Sequence, residues 1–250
     1  CSLEDGKTVT YTWKGRVYSR IPGERDRLLF LVEGMNVRQC GVTEDAKRGK
    51  GYRMVSREIM VYQDPMSGAI LREWENPFTG EQVEVQHVAN DPVNFDDYER
   101  DFRGNPSRSN VEIKDSVFLL GLEIPLFLPN PLGGDYQKYV GGSYHATEIF
   151  HFSGDADWLL NETGESDEIA VAWVRLSQWL PWMQMGDRPG LLYISAAGKR
   201  LKRWDDLSDA LKEEVKARYP EYREPPPLDD DRRNASSWSE FKRLIDAKKR

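Results

Sequence analysis

Thr8-Val9-Thr10-Tyr11-Thr12-Trp13-Lys14-Gly15-Arg16-Val17-Tyr18 alternates apolar and polar positions almost without a break. Successive strand side chains point to opposite faces, so Val9, Tyr11, Trp13 and Val17 share one face while Thr10, Thr12, Lys14 and Arg16 share the other. One dry face and one wet face is the pattern of an antiparallel sheet. The same period recurs to about residue 197, broken at short intervals by Gly, Pro, Asn and Asp.

Working outward, Ile21-Pro22-Gly23-Glu24 turns the chain, and strands follow over 27–36, 52–62 and 69–74. Asp64-Pro65-Met66-Ser67-Gly68 and Asn76-Pro77-Phe78-Thr79-Gly80 are the clearest hairpin turns. Residues 81–88 alternate again, whereas 90–110 is polar, charged and reads as a long surface loop, a kind that often carries function. Strand character returns over 111–128, 144–152, 168–179 and 190–197. From Trp204 the spacing turns helical. Leu207, Ala210, Leu211 and Val215 recur over 205–218 before Pro220, and Pro225-Pro226-Pro227 then extends the tail. Ser236 or Ser237 caps a last helix with Trp238, Phe241, Leu244 and Ile245 as its apolar face. The fold predicted is mainly β: an antiparallel, closed or nearly closed lipocalin-like β-barrel of about nine or ten strands, because closure removes the edges of so wide a sheet. The barrel occupies residues 1–200, and the helical and extended tail, 201–250, packs outside it.

With 250 residues, 39% of them hydrophobic, the chain can bury a sizeable core. A net charge of -7 argues against a nucleic-acid footprint, and no apolar run approaches the roughly 20 residues of a membrane span. Cys1 and Cys40 alone imply no disulfide framework and no cysteine metal site, which makes the cytoplasm the default compartment. A start on Cys1 instead of Met reads as a trimmed terminus, with a lipid-bearing cysteine as the alternative. Sequons at Asn161-Glu162-Thr163 and Asn234-Ala235-Ser236 matter only in a secreted chain.

Five segments, Val32-Glu33-Gly34-Met35-Asn36, Asn76 to Gly80, His87-Val88-Ala89-Asn90-Asp91-Pro92-Val93-Asn94, Pro129-Asn130-Pro131-Leu132-Gly133-Gly134 and Trp179 to Gly190, resemble the DUF1838 family of bacteria and fungi. The stretch from Asn234 to Phe241 looks like its fungal branch. The resemblance covers most of the chain and carries no catalytic residues; for fungal relatives it implies a place in natural-product pathways.

The residues themselves suggest candidates. Alternation sets His87 with Val83 and Val85 on a face that belongs inside a barrel, where an imidazole serves as acid, base or donor, or is simply a satisfied core group. Glu148 shares its face with Tyr144, Ala146, Phe150 and Phe152, a setting that favours a proton-transfer carboxylate; a slip of one residue would put His145 and His151 inside instead. Arg175 shares a face with Ile169, Val171 and Trp173, so an ion pair with Glu148 is the structural alternative. Trp13, Trp74, Trp173, Trp182, Tyr144 and Phe150 are candidate ligand-cavity walls or ordinary core. The segment from Trp179 to Gly190 reads as a pocket rim, with Met183 and Met185 as adaptable surface and Asp187-Arg188 as a carboxylate clamp or a local pair.

The three histidines lack tight metal-ligand spacing, Gly133-Gly134 and Gly141-Gly142 lack a strand-to-helix setting, and no Gly-x-Ser-x-Gly occurs. No metal and no cofactor are therefore expected. The expected partner is an apolar small molecule, and a homodimer is allowed. The leading expectation is a cofactor-independent cyclase or isomerase, with Diels-Alder chemistry in its class, using Glu148, His87 and Arg175. The alternatives are a carrier without chemistry and a hydratase or lyase using a buried Glu.

Overall fold

A computed structural model describes residues 1–2, 4–107, 110–130, 142–160 and 168–249. Its strands are β1 (Val9–Arg20), β2 (Arg27–Asp45), β3 (Gly49–Gln63), β4 (Glu73–Glu75), β5 (Gln82–Glu84), β6 (Val88–Asn90), β7 (Phe95–Tyr98), β8 (Val111–Lys114), β9 (Val117–Pro129), β10 (Ser143–Asp155), β11 (Ala170–Ser177) and β12 (Leu191–Leu201). Ten of them form one sheet, ordered β6-β3-β2-β1-β12-β11-β10-β9-β8 with β7 also on β3, while β4 and β5 make a separate hairpin. Every pairing among the described residues is antiparallel. The proline-rich turn after Pro129 and the Asn161 sequon lie largely or wholly outside the described residues.

The register confirms the faces read from alternation. Tyr11 stands opposite Asn36 and Arg200, Val17 opposite Phe30 and Ile194, and Glu148 opposite Arg175, all on one face. That face is inward because the sheet rolls. β3 and β10 are five places apart in the pairing order, roughly 24 Å along a flat sheet at the usual strand spacing. Charges that far apart would be screened over a Debye length of about 8 Å, yet Glu58 on β3 feels Glu148 on β10. Close strand approach permits the curvature: a Cβ at Gly198 would run into the Thr12 carbonyl, and one at Gly34 into the Trp13 ring.

The roll does not close. β6 and β8 end the order without pairing to each other among the described residues, so of the closed or nearly closed barrel expected, the antiparallel sheet of ten strands is present and its closure by strand pairing is not. The segment 90–110 also departs from expectation: it continues β6 and supplies β7, which pairs with β3 from Gly51–Tyr98 to Met54–Phe95. Its polar side chains hid a strand whose backbone pairs with β3. Cys1 and Cys40, which by number alone implied no disulfide framework, form a disulfide with Cα atoms 5.9 Å apart, tying the N-terminal segment to β2.

Two helices follow the sheet. In α1 (Asp209–Arg218) Ser208 caps the first turn by accepting from the Leu211 amide at 3.3 Å. Leu211 and Val215 of α1, with Leu207 and Tyr222, pack on Met35, Val37, Ile59 and Val61 of the outer face, as expected of an external helix. Beyond it the tail is strapped down. Arg57 donates to the Glu221 and Glu224 carbonyls (3.0 and 2.7 Å), and Arg232 bridges Asp230 and Asp91 (2.8 and 2.7 Å).

The strap delivers α2 (Ser237–Lys248) to the unclosed side of the roll, not to its outside. The Ala235 amide donates to the Pro92 carbonyl beside β6 at 3.0 Å. Trp238 packs on Tyr144 and Ala146 of β10 and on Leu126 and Leu128 of β9, while Phe241 joins the main core with Phe30, Trp173 and Trp182. Helix α2 thus wedges between the two sides that hydrogen bonds leave open, burying apolar edge surface that would otherwise face water. No helix among the described residues is long and apolar enough to cross a membrane. Trp238 is 1% exposed. Trp238→Ala should therefore lower the unfolding free energy by about 3–5 kcal/mol in urea titration, and hydrogen exchange should quicken first in α2.

Candidate functional site

Glu148 and Arg175 are cross-strand partners, and Arg175 Nη1 donates to Glu148 Oε1 at 2.6 Å with each side chain 16% exposed. Arg175 Nη2 donates to the Tyr144 hydroxyl at 3.2 Å, and the Tyr144 ring lies 5.2 Å from that of Trp238. The wedge helix therefore seats the tyrosine, and the tyrosine helps seat the arginine. Burial works against the Arg175 charge, but Tyr144 and Glu148 more than offset it, and its pKa rises above the usual arginine value.

Across the roll stands Glu58, opposite Asn36 on β2 and Asn90 on β6. Asn90 Nδ2 donates to Glu58 Oε1 at 2.6 Å. Burial raises the Glu58 pKa and the Glu148 charge adds to the rise; the Asn90 hydrogen bond, Arg175 and Arg38 oppose it without cancelling it. Arg38 donates to Asn36 Oδ1 at 2.6 Å and sits 4.6 Å over the Tyr11 ring. Burial lowers the Arg38 pKa despite Tyr11 and Glu58.

An aromatic floor continues from this charged cluster. Trp13 meets Trp173 edge-on at 6.3 Å, and Phe150 stacks on Trp173 at 6.1 Å. Leu122, Ile124, Leu126 and Leu128 of β9 share the inward face and are only half-buried, as are Trp13, Arg38, Glu58, Glu148 and Phe150. Inward groups that keep partial access line a recess. The Arg175 Nε and the Trp13 and Trp173 indole N–H groups are buried there without hydrogen-bond partners.

Glu148, Arg175, Tyr144, Phe150, Trp173 and Trp13 thus come together, but other candidates do not join them. His87 is buried beside the C-terminal end of β3, where its Nδ1 accepts from the Tyr62 amide at 3.1 Å, and its charged neighbours are Glu214, Arg72 and Arg218. Trp182 and Trp74 sit in a packed aromatic cluster with Phe30 and Tyr62, at 5.4 Å for Trp182–Tyr62 and 6.0 Å for Trp74–Trp182. The expected rim from Trp179 to Gly190 is mostly core: Trp179, Trp182, Met183 and Met185 are buried. Buried Asn76 holds it by donating to the Met183 carbonyl at 2.8 Å, and Asn76 also meets the Met185 sulfur at 3.2 Å. Arg188 donates to the Phe78 carbonyl at 2.9 Å instead of forming a clamp, and Asp187 is exposed. A separate outer-face groove of about 360 Å³, lined by Gly121, His151, Ala172 and Ala197, lies on the other side of the sheet from this cluster.

Sequence reading missed Glu58 and Arg38. The available signal was the period that singled out Glu148, since Glu58 shares a face with Met60 and Tyr62; buried Ile59 and Val61 obscured it by making both faces of β3 apolar.

The family model described as Protein of unknown function (DUF1838) matches residues 6–245, and the chain belongs to that family. No curated protein matches it.

Replacing Arg175 by Met should cost about 3–5 kcal/mol of stability, because Glu148 is left buried without its cation. Adding Glu148→Gln should recover part of that loss, and a double-mutant cycle in urea should give a coupling of about 1 kcal/mol or more. His87 makes a second, pH-dependent expectation, since burial pushes its imidazole down to about 4 with Arg72 and Arg218 assisting and Glu214 opposing. The unfolded chain then binds the extra proton between pH 6.5 and 4, so stability is full above that window and falls as pH drops through it. The loss reaches up to about 3 kcal/mol, and His87→Gln should flatten the stability profile between pH 6.5 and 5.

Proposed function

We propose that this DUF1838 member is a cofactor-independent enzyme that holds a bulky apolar metabolite of natural-product type inside the rolled sheet and promotes a non-redox change, cyclisation or isomerisation. Ring formation of the Diels-Alder type falls within that class. The supporting observation is the pair of inward carboxyl groups in unlike settings: Glu58, pushed toward its neutral form, and Glu148, hydrogen-bonded to Arg175. Carboxyl groups held in contrasting environments let one site offer an acid and a base together.

In an isomerisation, Glu58 gives its proton to a substrate carbonyl oxygen while Glu148 accepts one from the adjacent carbon, and the new enol carries the shifted electron pair. The reverse transfers at other atoms release the isomer and restore both residues. In a ring closure without net proton transfer, Glu58 and Arg175 hydrogen-bond to the carbonyl and lower the barrier to attack on its conjugated system. Trp13, Trp173 and Phe150 fold the apolar chain into reacting geometry, offsetting the entropy of closure before the bond forms. The rolled sheet serves here as a lipocalin-like barrel, with α2 as its stopper. All the residues invoked come from one chain, so a homodimer is not required.

The test is untargeted mass spectrometry of a metabolite extract from the source organism, incubated with the wild-type chain or with Glu58→Gln or Glu148→Gln. The enzyme reading expects one compound depleted and another of equal mass and different retention gained, with turnover at least about tenfold slower in either variant. A product lighter by water would favour a lyase, retention of an unchanged compound a carrier, and equal turnover in both variants would remove the two carboxyl groups from the chemistry.

A further inference from the structure

The inner face carries an arginine, Arg38, whose surroundings the proposed chemistry leaves unexplained. Glu58 lies within electrostatic reach of Glu148 and Arg175 across the roll and of Arg38 on the neighbouring strand. Arg175 has its carboxylate in Glu148. Arg38 has none within ion-pair distance among the described residues: it donates to the Asn36 amide oxygen, and its guanidinium lies over the neutral Tyr11 ring. Glu58 is drawn instead to the Asn90 amide at 2.6 Å, and burial favours its neutral form.

A guanidinium held by neutral partners in a low-dielectric recess lacks the counter-charge that would offset its desolvation. The same recess has buried donors without acceptors, at Arg175 Nε and the Trp13 and Trp173 indoles. Buried donors without acceptors and an arginine without a carboxylate partner call for the same thing: a group with oxygen acceptors and a delocalised negative charge, which a planar guanidinium binds well.

We infer that the recess takes its ligand as an amphipathic organic anion, a carboxylate or enolate on an apolar body, with the oxyanion toward Arg38 and Arg175 and the body along Trp13, Trp173, Phe150 and the β9 leucines. This rests on the site of the proposed function and narrows its substrate class. An enolic dicarbonyl meets both requirements, since its oxygens bind the arginines while its conjugated carbons remain free to cyclise. A cationic ligand would meet a like charge at Arg38, and a neutral one would leave that charge uncompensated.

Tryptophan fluorescence titration of the full chain at neutral pH tests this with four probes: decanoate, a hexanoyl cyclohexanedione that is an enolate at that pH, decanol and decyltrimethylammonium. At least one anion is expected to bind about tenfold or more tighter than decanol, with the cation weakest, and which anion binds better separates carboxylate from enolate recognition. Arg38→Met should weaken anion binding about tenfold and leave decanol binding unchanged, while Arg38→Lys should keep much of the preference. Circular dichroism and a urea midpoint confirm that each variant is folded, and the lysine variant preserves the test if the methionine one is not. Decanol binding as tightly as both anions, tighter binding of the cation, or anion affinity untouched in a folded Arg38→Met variant would overturn the inference. The readout is binding alone, so anion selectivity without any conversion would refute the enzyme reading and leave this one standing, and conversion of a neutral metabolite without anion selectivity would do the reverse.

Discussion

A single antiparallel sheet of ten strands has to hide one whole face and two edges, and the rest of this molecule follows from how it does so. Rolling buries the inner face against itself and brings β3 within electrostatic reach of β10 and β11. Hydrogen bonding stops short of closure, and α2 supplies the missing contact through Trp238 and Phe241. A strand in that place would satisfy backbone groups but present only alternate side chains to the interior. A helix brings a stripe of large apolar groups, and its tryptophan sets the tyrosine that contacts Arg175.

The same roll creates the electrostatic problem that defines the site. Taking four ionisable side chains into a recess is costly unless charges pair or neutralise. Glu148 and Arg175 take the first course through a short hydrogen bond, while burial pushes the Glu58 pKa upward and Asn90 supplies it an amide partner. Arg38 is left with an amide oxygen and an aromatic face. An arrangement serving stability alone would favour a pure ion pair or apolar residues of similar volume, because such replacements of buried charges are often neutral or stabilising. An arginine without a carboxylate partner beside an aromatic floor is what directs attention to ligand chemistry.

Much of this was readable from alternation, because period two is a local property that survives without knowing which strands pair. Alternation in β1 and β10 placed Tyr11, Trp13, Tyr144, Glu148 and Phe150 on their true face, and Ser236 marked the start of α2 correctly. What stayed hidden depends on distance in the fold. Glu58 matters because of residues five strands away, and nothing local to His87 reveals that a backbone amide of β3 occupies its Nδ1. The Trp179–Gly190 segment looked like a rim because prolines and glycines usually mark exposed turns. Here Gly190 approaches the Trp179 ring where a Cβ would collide, and the whole turn locks against Asn76 in the core.

The central claim is that rolling brings Glu58 within electrostatic reach of the Glu148–Arg175 pair and that burial there raises its pKa. The most direct measurement is a carbon-detected NMR titration of the Glu58 carboxyl in the wild-type chain and in Glu148→Gln. The account predicts a wild-type pKa above the ordinary glutamate value of about 4.3 and a fall when the Glu148 charge is removed. A Glu58 that titrates at or below that value, or that does not respond to Glu148→Gln, would contradict it.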